Sequence, residues 1–90
     1  MGVKTVHPYV TQKEGVQGGK PIVIGTRTPV RSIVFYHKMG ETPDEILDKY
    51  PHLTPAQIYD ALSYYYDHQE EIDRDMESDT EENVRREFGL

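Results

Sequence analysis

Residues 42–57, TPDEILDKYPHLTPAQ, contain the same helix N-terminal signal twice, at positions twelve residues apart. In each start a Thr-Pro pair is followed, three residues after the Thr, by Glu or Gln: Glu45 after Thr42, and Gln57 after Thr54. Thr is a good N-cap, Pro suits the first helical position, and Glu or Gln at the third completes a capping box. The stretch therefore predicts two short helices that cross steeply over a brief turn, as in a helix-turn-helix.

A third pair, Thr28-Pro29, predicts another capped helix upstream. The three helices are expected from about Pro29 to Met39, from Pro43 to Lys49 and from Pro55 to His68. Apolar residues at helical spacing mark the expected buried sides, namely Val30, Ile33, Val34 and His37 in the first helix and Ile58, Ala61, Leu62 and Tyr65 in the third. Three short helices with tight turns are the minimal helix-turn-helix scaffold, so residues 26–67 are predicted to form such a domain.

The segments on either side of this domain differ from it in composition. Residues 5–12 and 21–24 are β-prone and flank a glycine-rich turn, so residues 1–25 are predicted to form a β-hairpin or β-arm. A lone hairpin is marginal in water, so it should pack on the helices or on a second copy. Residues 68–90 are acidic and sparsely apolar, which predicts a helical or disordered tail. The expected fold class is mainly α.

Several kinds of chemistry are excluded by the residues present. The chain has no Cys, and its histidines are not spaced as metal ligands, so no metal is expected. The glycine-rich turn fails as a phosphate loop because Glu14 replaces the first Gly and Pro21 follows the Lys. A catalytic pocket is hard to build from 90 residues. We therefore expect a non-enzyme without cofactors. The absence of a membrane span, a signal sequence and Cys fits the cytoplasm.

Charge divides the chain into two unequal halves. Residues 1–40 carry six basic residues and one acid, a net charge of +5, whereas residues 41–90 carry four basic residues and fifteen acids, a net charge of −11. This asymmetry suggests two surfaces with different partners. The alternative is that the acidic half only keeps a small protein soluble.

The run GKPIVIGTRTPV, residues 19–30, resembles the signature of the domain of unknown function numbered 433. That signature reads Gly-Lys-Pro, apolar residues, Gly-Thr-Arg, one residue and Pro-Val. The resemblance covers about residues 15–67 and continues in Gly40, TPDEIL at 42–47, YPHLT at 50–54, Ile58 and Ala61-Leu62. It implies a β-arm with a three-helix domain of homeodomain-like, winged-helix-related type. Many members look like VapB-type antitoxins encoded beside a PIN-domain ribonuclease.

The resemblance implies a cytoplasmic prokaryotic protein that dimerises, binds and neutralises a toxin, and can repress its own operon. In the DNA-binding interpretation the third helix enters the major groove, where Gln57 reads adenine and Tyr64 reaches a phosphate. Asp60 and Asp67 on the same face oppose phosphate binding. The basic candidates for DNA binding are Lys20, Arg27, Arg31 and Lys38. An alternative for Arg27 is an ion pair with a carboxylate inside the fold.

In the toxin-binding interpretation the tail is the contact segment. PIN-type ribonucleases gather acidic residues around a metal, so Arg85 or Arg86 could enter that cluster as a bidentate cation. The full set of candidate partner-binding residues is Ile72, Met76, Val84, Arg85, Arg86 and Phe88. The alternative for the tail is a solubilising terminus. The thin core, the exposed strand edge and the Tyr64–Tyr66 run favour a homodimer. The other functions left open are a DNA-binding regulator without a toxin and a scaffold that does not bind DNA.

Overall fold

The structure of the protein is a computed structural model that describes residues 6–77. Two short strands come first, β1 (Val10–Gln12) and β2 (Pro21–Val23), with a 3-10 turn at Gln17–Gly19 between them. Three helices follow, α1 (Val30–Lys38), α2 (Pro43–Lys49) and α3 (Pro55–Asp67), and a fourth, α4, covers residues 69–77. The protein is thus mainly helical, with a two-stranded antiparallel sheet at its N-terminal end, as predicted.

Both capping boxes predicted from the sequence are present. The Thr42 hydroxyl accepts a hydrogen bond from the Glu45 amide at 3.3 Å, and the Glu45 carboxylate accepts one from the Thr42 amide at 2.9 Å. Thr54 and Gln57 make the equivalent pair of bonds at 3.2 and 2.8 Å. These bonds satisfy amides that the first turn of each helix would leave unpaired, so α2 and α3 begin where the local sequence dictates.

Thr28 does not cap α1, and this prediction was wrong. The N-cap of α1 is Pro29, which has no capping side-chain hydrogen bond. Thr28 is buried in the turn between β2 and α1, where its amide bonds to the Thr26 hydroxyl and its carbonyl accepts from the Val23 amide. Its own hydroxyl lies 3.2 Å from His52 Nε2. The polar groups of Thr28 therefore bond within this turn and to His52, so its hydroxyl does not cap α1.

The hairpin packs on the helices through its second strand. Val10 pairs with Val23 and Thr11 with Ile22 in the antiparallel register, and Ile22 also bridges to Pro29. All three residues of β2 are buried, so the strand forms part of the core. This packing supplies the support that an isolated two-stranded hairpin lacks in water.

One hydrophobic core joins the hairpin to all four helices. Its buried members are Val23, Val30, Ile33, Val34, Ile46, Leu53, Ile58, Ala61, Leu62, Tyr65 and Ile72. Every residue of the predicted α3 stripe is among them. Ile72 belongs to α4, so the described part of the acidic segment is helical and completes the core. None of the helices within residues 6–77 is long and apolar enough to cross a membrane.

Candidate interaction surfaces

The segment before β1 is fastened to α3 by a cluster that we call the His7 clasp: His7, the Tyr9 amide, Asp60 and Asp67. The His7 side chain has its Nε2 atom 2.7 Å from an oxygen of Asp67 and its Nδ1 atom 3.5 Å from an oxygen of Asp60. The Tyr9 amide donates to the other oxygen of Asp60 at 2.8 Å. His7 is only 8% exposed. The clasp therefore covers one face of α3 with the N-terminal segment.

The covered face is the one that the sequence predicted to read DNA. Tyr64 is half-buried there, edge-on to the His7 ring at 5.2 Å and stacked on His68 at 4.2 Å. Burial raises the pKa of the Tyr64 hydroxyl. Gln57 is on the same side of the helix, with its side chain held in the capping box. Gln57 and Tyr64 therefore lie seven positions apart on one side of α3, where Tyr64 is packed against His7 and His68 and Gln57 remains partly exposed.

Two of the four predicted DNA-binding cations form ion pairs with α4. Lys20 Nζ lies 2.8 Å from a carboxylate oxygen of Asp75, and Lys38 Nζ lies 2.9 Å from one of Asp73. Asp73 also accepts a hydrogen bond from the Tyr65 hydroxyl at 2.9 Å. Arg31 is half-buried beside the Lys20–Asp75 pair. The acidic helix therefore neutralises two of the six basic residues among the first forty.

The Lys38–Asp73 pair predicts a defined pH window for part of the stability. The hydrogen bond from Lys38 lowers the pKa of Asp73 below its ordinary 3.8. The stabilisation of the fold by this ion pair is therefore present above about that pH and is lost as pH falls through the folded-state pKa of Asp73. The hydrogen bond to Asp73 raises the pKa of Lys38 above its ordinary 10.5. The same stabilisation is therefore present below that pH and is lost as pH rises through the folded-state pKa of Lys38.

Because both side chains are about two-fifths exposed (45% and 39%), screening by water limits the contribution to about 1 kcal/mol or less. Urea unfolding should show that Asp73→Asn has a lower free energy of unfolding than the wild type by this amount at neutral pH. The deficit should vanish in strong acid, where the wild-type carboxylate is also protonated. An equal deficit at both pH values would contradict this explanation.

Arg27, the fourth predicted cation, is exposed at the end of a well-ordered turn. Gly25 has a φ of +75°, which suits glycine, and the Thr26 hydroxyl donates to the Val23 carbonyl at 2.8 Å. The alternative prediction, an internal ion pair, is not found: across residues 6–77 Arg27 pairs with no carboxylate. Lys13, which the sequence analysis did not single out, is a second exposed cation on the same side of the hairpin.

The residues predicted to bind a partner protein divide between the core and the part of the chain beyond the described range. Ile72 is 2% exposed, so its side chain stabilises the fold and presents no surface to a partner. Met76 is half-buried and packs against the core. Val84, Arg85, Arg86 and Phe88 lie outside the described residues. On or directly after the described helices, four large apolar or aromatic side chains are exposed, and only Tyr66 among them belongs to the tyrosine run that the sequence linked to a homodimer: Phe35, Met39, Tyr59 and Tyr66.

Comparison with known proteins agrees with this architecture. Residues 10–65 match the model of the family described as "Protein of unknown function (DUF433)". The chain is also similar to a crystal structure of a DUF433 member protein from Anabaena variabilis, with 36% sequence identity and a TM-score of 0.69. That similarity covers 74% of this chain and 66% of the Anabaena chain, just under two thirds of its length. No curated protein matches. The family model spans more than half of the sequence, and the chain therefore belongs to the DUF433 family.

Proposed function

We propose that this protein is an antitoxin-like binding module that dimerises and neutralises a PIN-type ribonuclease. The observation that carries the proposal is the pairing of Lys20 and Lys38 with carboxylates of α4, which removes cations that nucleic-acid binding would need. The covered face of α3 supports the same choice. Exposed Phe35, Met39, Tyr59 and Tyr66 are residue types that suit a protein interface better than a DNA interface.

We assign the toxin contact to residues 78–90. Arg85 and Arg86 are adjacent in an otherwise acidic stretch, with Val84 before them and Phe88 after them. A guanidinium can bind a carboxylate through two parallel hydrogen bonds, so one of these arginines would block an acidic, metal-binding active site. Val84 and Phe88 would add apolar contacts. Ile72 anchors α4 in the core, so residues 78–90 are attached to a helix that is packed on the domain.

The test co-expresses this protein with any PIN-type ribonuclease encoded beside its gene and measures inhibition of the ribonuclease activity. We expect the full chain to inhibit it, and the double variant Arg85→Ala/Arg86→Ala to inhibit at least about tenfold less well, or about 1.4 kcal/mol of binding free energy. Arg74→Ala is the matched control, because Arg74 is an exposed arginine on α4 in the same acidic segment. Unchanged inhibition by the double variant, or absence of a complex with the full chain, would refute the proposal.

We propose that the dimer contact lies at the end of α1, where Phe35 and the C-cap residue Met39 are exposed four positions apart. A two-fold contact between two such patches would bury both pairs. Sedimentation equilibrium should give twice the chain mass of 10.4 kDa, and Phe35→Glu should return the monomer. A wild-type chain that stays monomeric at high concentration would rule the contact out.

A second candidate is a homodimeric DNA-binding regulator of helix-turn-helix type, with autorepression as the corresponding role in an antitoxin. It is favoured by one observation, the exposure of Arg27 and Lys13 on one side of the hairpin. Duplex DNA should then bind with an affinity that falls steeply as salt rises. If no binding to duplex DNA were detected at low salt, the DNA-binding function would be ruled out and only the protein-binding function would remain.

A further inference from the structure

A groove of about 520 Å³ lies on the outer side of the hairpin, away from the core. Its apolar lining residues are Val16, Ile22 and Ile24, and its two cations are Lys13 and Arg27. The volume is within the range of sites that bind ligands. Ile24 is 47% exposed, so part of this apolar lining faces solvent without cover from the described residues.

The two cations of this groove differ from the other lysines that the structure describes. Lys20, Lys38 and Lys49 each lie between 2.8 and 3.4 Å from a carboxylate oxygen. Lys13 and Arg27 form no ion pair with any residue from 6 to 77. In a chain with a net charge of −6, two positive side chains therefore have no carboxylate partner among residues 6–77, and both lie at one concave, partly apolar place. That combination fits an anionic ligand that also carries apolar groups.

The walls of the groove are held in place by the backbone. Gln17 has a φ of +50°, a conformation that non-glycine residues seldom adopt, and its side-chain amide donates to the Arg27 carbonyl at 3.2 Å. On the other side of Arg27, the Val23 amide donates to the Thr28 carbonyl at 2.9 Å and closes the turn. The backbone at Arg27 is thus held by a hydrogen bond to its own carbonyl and by one to the next residue. The site is therefore largely preorganised for a ligand.

We propose that this groove binds an extended acidic segment of a partner protein. An extended peptide alternates its side chains between two faces, so apolar residues can lie on Val16 and Ile24 while carboxylates reach Lys13 and Arg27. A nucleic acid fits less well, because two cations offer little counterion release and the net negative charge repels a polyanion. The site is separate from residues 78–90 and goes beyond the proposed toxin contact.

The probe is a fluorescently labelled peptide of alternating Glu and Val, titrated into the full chain at low salt. We expect saturable binding that becomes at least tenfold weaker in Lys13→Glu/Arg27→Glu. The same variant should instead bind a peptide of alternating Lys and Val, which the wild type does not. Lys49→Glu is the matched charge-reversal control and should leave binding of the acidic peptide unchanged, because Lys49 lies on α2, away from the hairpin.

Three results would overturn the proposal. One is equal binding of the acidic peptide by the wild type and the double variant, and another is no binding by the wild type. The third is binding of duplex DNA, but not of the peptide, with loss in the double variant, because this would assign the groove to phosphates. Circular dichroism of each variant confirms that it is folded. None of these measurements involves Arg85 or Arg86, so failure here leaves the toxin-binding proposal intact.

Discussion

Replacing Ile72 by alanine is expected to lower the free energy of unfolding by about 2–5 kcal/mol, the usual cost of truncating a large buried aliphatic side chain. Ile72 is 2% exposed and belongs to the same core as Val23 of the hairpin and Tyr65 of α3. A domain of this size has only a small margin of stability, so the variant should unfold at a markedly lower urea concentration.

The matched control is Ile24→Ala, which removes the same atoms from a side chain that is half-exposed in the outer groove. Its cost should stay below about 1 kcal/mol. Two truncations extend the test: ending the chain after residue 77 should preserve the fold, whereas ending it after residue 67 removes α4 and should destabilise the protein at least as much as Ile72→Ala. A chain ending at residue 67 with wild-type stability would show that α4 is not part of the core.

His7→Ala is expected to cost about 1–3 kcal/mol, because it truncates a nearly buried ring and removes its hydrogen bond to Asp67. The substitution removes the group that lies 2.7 Å from Asp67 and 3.5 Å from Asp60, and it empties the space beside the Tyr64 ring. The N-terminal segment should then detach from α3 more often. Hydrogen exchange of the Tyr9 amide, which donates to Asp60, reports this opening directly and should become faster in the variant.

Tyr9→Phe serves as the control for this experiment, because it changes an exposed side chain and keeps both His7 and the Tyr9 amide. Its stability and its exchange rate at position 9 should match the wild type. If His7→Ala also left both quantities unchanged, the segment before β1 would be held by β1 alone.

Local signals in the sequence were sufficient for most of the helices. Both capping boxes are contained within four residues, and the α3 stripe repeats at the helical period, so each was predicted without knowledge of the tertiary structure. Thr28 had the same local signal and was predicted wrongly, because Val23, Thr26 and His52 compete for its polar groups. A cap signal is reliable only where no other element of the fold reaches the Thr.

Pairings between distant residues had no comparable signal. Lys20 and Asp75 are 55 positions apart, and His7 and Asp67 are 60 positions apart. Assigning Lys20 and Lys38 to an open basic surface was reasonable from charge alone, but it did not anticipate that carboxylates of α4 would pair with them. Ile72 had a signal that was overlooked: Ile58, Tyr65 and Ile72 are spaced by seven, so the apolar stripe of α3 continues past the break at His68.

The ion pairs of α4 make the stability of the fold sensitive to polyanions. A nucleic acid or polyphosphate that bound Lys20 and Lys38 would first have to displace Asp75 and Asp73, and α4 would then hold its place through Ile72 and Met76 with less support. A ligand that binds the form with α4 displaced draws the population toward that form. Any polyanion that did bind in this way would therefore lower the midpoint of thermal unfolding, the opposite of what a ligand for the folded state does.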